Sequence, residues 1–109
     1  MPRPWAAVGL AALLLAAVAG VAWALPSPER QAELLHRLKH DCGSCHGLTM
    51  KGGLGPPLLP QALAGRAEEE LVQIILEGVA TTPMPPWKSE LSDEEARWLV
   101  RLLQEGVPQ

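Results

Sequence analysis

Two cysteines and a histidine within one short segment constrain this chain more than any other feature. The segment reads Cys42-Gly43-Ser44-Cys45-His46 and contains both cysteines of the 109-residue chain. Two thiols three residues apart lie on one turn of backbone, and the next residue adds an imidazole. This is the C-x-x-C-H signature of c-type haem attachment. Each thiol can add to one haem vinyl group, and the histidine can bind the iron from one face of the ring.

Three other interpretations of the motif are weaker. A thiol redox motif is expected within a βαβ unit, which the sequence does not predict, and it does not need the following histidine. A disulfide that closes four residues stabilises little. A zinc site needs four ligands, and although His36 and His40 lie close by, no zinc-finger spacing is present. The motif therefore predicts one covalent haem c.

The composition of the chain indicates that its own side chains do not fill the hydrophobic core. The chain is 48% hydrophobic but has no Phe and no Tyr, and residues 1–24 hold 19 of its apolar residues. The remaining domain is short of core material for its size, and such small domains commonly need a disulfide, a metal or another staple. The formal charge of −3 gives no reason to expect nucleic-acid binding.

The N-terminal segment has the pattern of an export signal. Arg3 is the only charge before Glu29, an apolar run extends from Trp5 to Leu25, and Ala22-Trp23-Ala24 suits signal peptidase. We predict a signal peptide over 1–24, cleavage after Ala24, and a periplasmic domain over 25–109. The alternative is an uncleaved N-terminal membrane anchor.

The rest of the chain predicts helices joined by loops rich in proline and glycine. Ser27 can cap the first helix, Ser92 opens a capping box for the last, and no segment alternates with a period of two. Three main helices are predicted: from Ser27 to about His40, over 67–77, and from Ser92 to Gly106. The predicted fold is therefore all-α, wrapped around one haem.

A second axial ligand must approach the haem from the face opposite His46. Met84 lies beyond a complete helix, in a loop that prolines stiffen on both sides, and we predict it as that ligand. Met50 is too close to His46 in sequence and is predicted to make a loop contact. His36 and His40 have a spacing that could suit a metal, but they are predicted to lie on a partly solvated helix face.

The order of these features resembles class I, single-haem c-type cytochromes over the whole region after the signal. The shared features are the C-x-x-C-H motif behind an N-terminal helix, the segment Gly55-Pro56-Pro57-Leu58, and a Met-Pro loop before a C-terminal helix. The resemblance implies the class I cytochrome c fold.

The resemblance also implies roles for single residues around the haem. The carbonyl of Pro56 should accept a hydrogen bond from His46, and Leu58 should pack against the proximal haem face. Trp87 should cover a haem edge beside Met84. Trp98 should lie where the last helix crosses the first, over Leu35, with Ala32 in place of the usual glycine.

A narrower resemblance covers residues 41–58 and the later Thr82-Pro83-Met84-Pro85-Pro86-Trp87. Both segments are similar to small periplasmic cytochromes of the NirC or cytochrome c-55x type, which are associated with cytochrome cd-type nitrite reductase. This resemblance implies a role in denitrification, as a donor of single electrons to that reductase. The alternative it implies is an accessory role in maturation of the reductase's d-type haem.

A haem with two protein ligands has no vacant position for a substrate, which favours electron transfer over catalysis. We therefore expect a monomeric electron carrier that is not an enzyme. Its partners should be redox proteins, and it should touch a membrane only if residues 1–24 stay attached. A gas-binding or peroxidatic haem protein, with Met84 dissociating from the iron, is the remaining alternative.

Overall fold

The computed structural model describes residues 24–108. The predicted signal peptide lies outside the described residues except for Ala24. The described part is helical and contains no strand, which confirms the predicted all-α class. Its elements are α1 (Pro28–Arg37), a π-helical turn (Leu38–Cys42), α2 (Gly43–His46), α3 (Pro60–Leu63), α4 (Glu68–Glu77) and α5 (Asp93–Glu105). No helix within residues 24–108 is long and apolar enough to cross a bilayer.

The first predicted helix is longer than the sequence indicated. It does not end near His40, because the π turn and α2 continue it through the whole C-x-x-C-H motif to His46. The predicted cap is present, since the Ser27 hydroxyl accepts a hydrogen bond from the Arg30 amide at 3.2 Å. α1, the π turn and α2 together form one rod, which carries both cysteines and His46.

The other two main helices form where they were predicted. α4 opens with three glutamates at its positive end and ends at Gly78, whose φ of 68° is a left-handed conformation. α5 begins with the capping box of Ser92 and Glu95, in which both reciprocal hydrogen bonds are present. The single-turn helix α3 was not predicted; it starts with Pro60 at its first position.

The core lies between α4, α5 and the rod. Its buried side chains are aliphatic apart from one methionine, and no buried polar or charged residue occurs among the described residues. The buried position of α1 is Leu34, at 0% exposure, whereas Leu35 is 37% exposed. Trp98 is half-buried against this core, and its predicted contact with Leu35 stays a prediction.

Candidate functional site

An apolar cavity of about 600 Å³ separates the rod from α4, α5 and the loop that follows α4. Both motif cysteines, His46 and Met84 line it. Leu54 and Val79 also line it while being 76% and 41% exposed, so the cavity reaches solvent beside these two residues. The other apolar lining residues come from every main element: Leu38, Pro56, Leu58, Leu63, Leu71, Ile74, Ile75, Pro83, Pro85, Trp87, Leu91, Leu99, Val100 and Leu103.

The π turn keeps the rod's apolar face and the motif on one side. Leu34, Leu38, Cys42 and His46 follow each other at intervals of four residues. In an uninterrupted α-helix each such step turns about 40° further round the axis, so His46 would point about 120° away from Leu34. Between Leu38 and Cys42 the wider π turn has roughly 4.4 residues per turn, so this four-residue step falls about 30° short of a full turn and turns back against the drift. Buried leucines and motif residues therefore share one face.

The two thiols are half-buried and unpaired with each other. Burial raises the pKa of Cys42 to about 11, and the negative charge of Asp41 acts in the same direction. The Cys42 thiol of the unmodified chain is therefore protonated near neutral pH. Both cysteines line the cavity, where a ring could be tethered to them.

The His46 ring is fixed by the loop that follows the motif. Its Nδ1 lies 2.7 Å from the carbonyl oxygen of Pro56. A carbonyl can only accept, so Nδ1 is the donor and Nε2 keeps its lone pair for a metal. Gly55 permits the approach, since a Cβ there would lie 2.9 Å from the ring atoms Cε1 and Nδ1 of His46. The resemblance implied this hydrogen bond, and the geometry provides it.

Met84 lies in a loop that is held by hydrogen bonds near the end of α4 and that also lines the cavity. The Met84 carbonyl accepts from the Val79 amide at 3.2 Å, and the Met84 amide donates to the Thr82 hydroxyl at 3.3 Å. Gly78 lets this loop come close, because a Cβ there would lie 2.8 Å from the Met84 carbonyl oxygen. Trp87 donates from its amide to the Ile75 carbonyl at 3.1 Å and lines the cavity.

The remaining candidate ligands lie elsewhere. Met50 is 3% exposed and belongs to the core without lining the cavity. His36 and His40 are exposed on the outer side of the rod. Leu58 lines the cavity, whereas Trp98 does not. The placements of Met50, His36 and His40 agree with the predictions made for them, whereas the haem contact of Leu58 and the contact of Trp98 with Leu35 stay predictions.

Two basic residues at the cavity were not singled out from the sequence. Arg37 and Arg66 line it, and each is engaged by a carboxylate at 2.5 Å, Glu90 and Glu70 respectively. Surface arginines have no distinctive sequence signal, so only the fold reveals that they border the site. Leu99 of α5 also lines the cavity, and the sequence alone did not indicate this.

These residues fit a haem. The cavity has apolar walls, and its lining includes two cysteines and a histidine from the rod and a methionine from the loop after α4. Cys42 and Cys45 would hold the ring covalently, and His46 would bind the iron through Nε2. No group of three or more His, Cys, Asp or Glu residues in the described part of the chain could hold a metal ion without such a ring.

Comparisons with known proteins agree with this fit. The family model described as cytochrome C oxidase, cbb3-type, subunit III matches residues 29–103. A cytochrome c55X from Pseudomonas aeruginosa is 54% identical over 80% of this chain and 73% of its own length. The solved structure of a c-type cytochrome NirC matches with a TM-score of 0.74 and 55% identity, over 75% of this chain and 96% of that one.

A fourth similarity concerns a larger protein. The structure of the dihydro-heme d1 dehydrogenase NirN in complex with DHE matches with a TM-score of 0.61 and 32% identity, over 68% of this chain but only 16% of that one. The family matches confirm the predicted fold and the predicted cofactor, a covalently bound haem c. The chain belongs to this family of c-type cytochromes and is a monohaem member of the cytochrome c55X type.

Proposed function

We propose that this protein is a periplasmic one-electron carrier whose haem c is ligated by His46 and Met84. One observation carries the proposal: of the histidines and methionines in residues 24–108, only these two line the cavity. When bound, haem c supplies a ferrous/ferric couple that exchanges single electrons. Two protein ligands leave no open position for a substrate, and both stay in place when the charge changes.

The residues around the haem should influence its reduction potential. A thioether ligand favours the ferrous state and raises the potential relative to a second imidazole. The aliphatic walls contributed by α4 and α5 act in the same direction, because they disfavour the extra positive charge of the ferric state. The Pro56 carbonyl keeps the His46 ring from rotating, which limits rearrangement during transfer.

The exposed cavity mouth is suited to brief contact with a partner. Leu54 and Val79 border it, and both are exposed. A small contact of this kind is typical of redox partners, which must dissociate quickly. We propose the cytochrome cd-type nitrite reductase of denitrification as the acceptor, on the strength of the motif resemblance and of the c55X and NirC relatives.

The similarity to NirN concerns the alternative role in d-type haem maturation. That protein is described as a dehydrogenase, and a dehydrogenase must pass electrons on, which is compatible with a cytochrome that carries them. The match covers 16% of NirN. Such a small share gives no ground for assigning dihydro-haem d1 binding to this chain, and electron transfer remains the proposed role.

Met84→His tests the ligation. We expect the variant to keep its covalent haem, to lose the Met-to-iron absorption band, and to have a midpoint potential lower by on the order of a tenth of a volt. Met50→Leu is the matched control, since Met50 is buried away from the cavity, and it should leave band and potential unchanged. An unchanged band and potential in Met84→His would remove Met84 as ligand.

Rapid mixing of the reduced protein with the reductase tests the role. We expect oxidation of the haem on a catalytically competent timescale, and no avid binding of carbon monoxide by the reduced protein at neutral pH. Avid carbon monoxide binding without electron transfer would instead support a gas-binding protein.

A further inference from the structure

A pair of histidines on the outer side of the rod has no part in the haem site. The rings of His36 and His40 have centroids 4.2 Å apart and planes inclined by 42°. Both residues are exposed. His36 also borders a shallow surface depression with Ala32, Glu33 and Arg37. The two imidazoles are therefore close to each other and open to solvent.

The π turn brings the two rings together. From His36 to Leu38 the backbone is α-helical, and from Leu38 to His40 it is π-helical. Two steps of about 100° and two of roughly 80° add up to nearly one full turn. The two side chains therefore leave the rod in almost the same direction, whereas an uninterrupted α-helix would set them about 40° apart.

Imidazole nitrogen is a preferred ligand of divalent late transition-metal ions such as Zn²⁺ and Cu²⁺. The chain has three histidines and two cysteines, and the haem takes His46 and both thiols. His36 and His40 are thus the only uncommitted imidazoles in the sequence of the holoprotein. Two imidazoles on one rigid rod bind an ion as a chelate, because the second ligand is already in place when the first has bound.

The charged neighbours do not block this position. Arg37 is engaged by Glu90 at 2.5 Å, and Glu33 is paired with Arg30 at 2.8 Å. Lys39 lies between the two histidines in sequence and is exposed. No third His, Cys, Asp or Glu completes a protein site within residues 24–108, so water must fill the other positions on the ion. Such an ion is exchangeable and is not needed for folding.

We propose that His36 and His40 form a surface site for one divalent late transition-metal ion. The site depends on the rod alone and is independent of the role of Met84 and of the electron-transfer partner. It lies on the outer side of the same rod that carries the haem-attaching thiols.

Calorimetric titration of the haem-loaded protein with Zn²⁺ tests the site. We expect one ion per chain in the wild type and at least a roughly tenfold weaker affinity in His36→Gln and in His40→Gln. Lys39→Gln, an exposed change between the two histidines, is the matched control and should keep the affinity. The haem absorption spectrum of each variant checks that the fold is intact.

The double variant His36→Gln/His40→Gln decides between this site and binding elsewhere on the surface. Equal Zn²⁺ affinity in the wild type and the double variant would overturn the proposal. Electron paramagnetic resonance of added Cu²⁺ gives a second readout, since two coordinating nitrogens should appear in the wild type and one in each single variant. A copper spectrum that is the same in the wild type and the double variant would also overturn it.

Discussion

The two sides of the haem cavity are built in different ways. The side that carries Cys42, Cys45 and His46 is a helical rod with two fully buried leucines, and its histidine is fixed by a hydrogen bond. The Met84 side is a loop with three prolines, held by a few backbone contacts to the end of α4. The covalent side therefore supplies the framework, and the loop side carries the proposed second ligand, Met84, on a less rigid support. Ligand exchange should begin at Met84.

The largest effect is expected from a variant in which the rod is no longer attached covalently to the haem. In Cys42→Ala/Cys45→Ala the haem is not tethered, and a cavity of about 600 Å³ loses its filling. The apolar walls of the cavity then face water, and a small domain with a stability of only about 5–15 kcal/mol is not expected to tolerate that loss.

We therefore expect the double variant to lack a native fold, as judged by near-UV circular dichroism. Ser44→Ala is the control: it changes an exposed residue between the two cysteines and leaves both thiols in place, so it should retain haem and fold. A native-like near-UV spectrum in the haem-free double variant would show that the helices are self-sufficient.

The π turn allows a test confined to the covalent side. Inserting one alanine after Lys39, an exposed residue of that turn, should rotate α1 by about 80–100° relative to the motif. Leu34 and Leu38 would then leave the core, at about 2 kcal/mol each. We expect a loss of roughly 4 kcal/mol in urea unfolding and a lower yield of covalent haem.

Lys39→Ala keeps the chain length and should behave like the wild type in both measurements. An insertion variant with unchanged stability and haem content would mean that the register between the buried leucines and the motif has no importance.

The sequence predicted the helices better than it predicted their junctions. Caps such as Ser27 and the Ser92–Glu95 box are local, so the residues alone reveal them. The π turn is not local, because it is favoured by the packing of Leu34 and Leu38 together with the motif. Nor does the spacing of Leu34, Leu35 and Leu38 in the sequence show which of them is buried: Leu34 and Leu38 are, whereas Leu35 is 37% exposed.

The residues of the candidate site were likewise predictable where a local motif marks them and not where only packing places them. Motif spacing predicted the thiols and His46, and the structure places both thiols, His46 and Met84 at one cavity. The lining by Leu99, Val100 and Leu103 was not predicted as part of the site. Apolar spacing indicates that a residue is buried, but not which neighbour covers it.

Substitutions at two glycines allow the His46 side and the Met84 side of the cavity to be compared directly. A Cβ on Gly55 would lie 2.9 Å from the His46 ring, and one on Gly78 would lie 2.7 to 2.8 Å from the Met84 loop. Gly78→Ala also meets a left-handed φ of 68°, so we expect it to cost about 1–3 kcal/mol and to weaken the Met-to-iron band. Gly55→Ala should cost about 1–3 kcal/mol by overpacking and shift the midpoint potential through His46 while the Met-to-iron band remains.

Gly65→Ala is the control for backbone strain alone. Its φ is 78° and nothing lies within 4 Å of the added Cβ, so it should cost about 1 kcal/mol and leave the haem spectrum unchanged. If Gly78→Ala and Gly65→Ala gave the same spectrum and stability, close approach of the Met84 loop to α4 would be unimportant.

The smallest expected effect lies where α1 and α5 are joined, outside both ligand-bearing sides. Glu95 accepts a hydrogen bond from the Ser92 amide at 2.9 Å and is ion-paired with Arg30. The Arg30 hydrogen bond lowers the pKa of Glu95, and the Ser92 amide contributes in the same direction. Its stabilisation is therefore present above the ordinary pKa of glutamate and is lost as the pH falls through the lowered folded-state value.

Glu95→Ala should cost about 1 kcal/mol near neutral pH, from the cap and a partly exposed ion pair. Glu95→Gln keeps the cap and loses only the charge, so it should cost less, and its difference from the wild type should vanish in acid. Urea unfolding across pH measures both. Because α5 contributes only aliphatic walls to the cavity, neither variant should move the midpoint potential. A shift in potential would mean that the α1–α5 junction also controls the ligands, and the two sides of the cavity could then not be treated as separate.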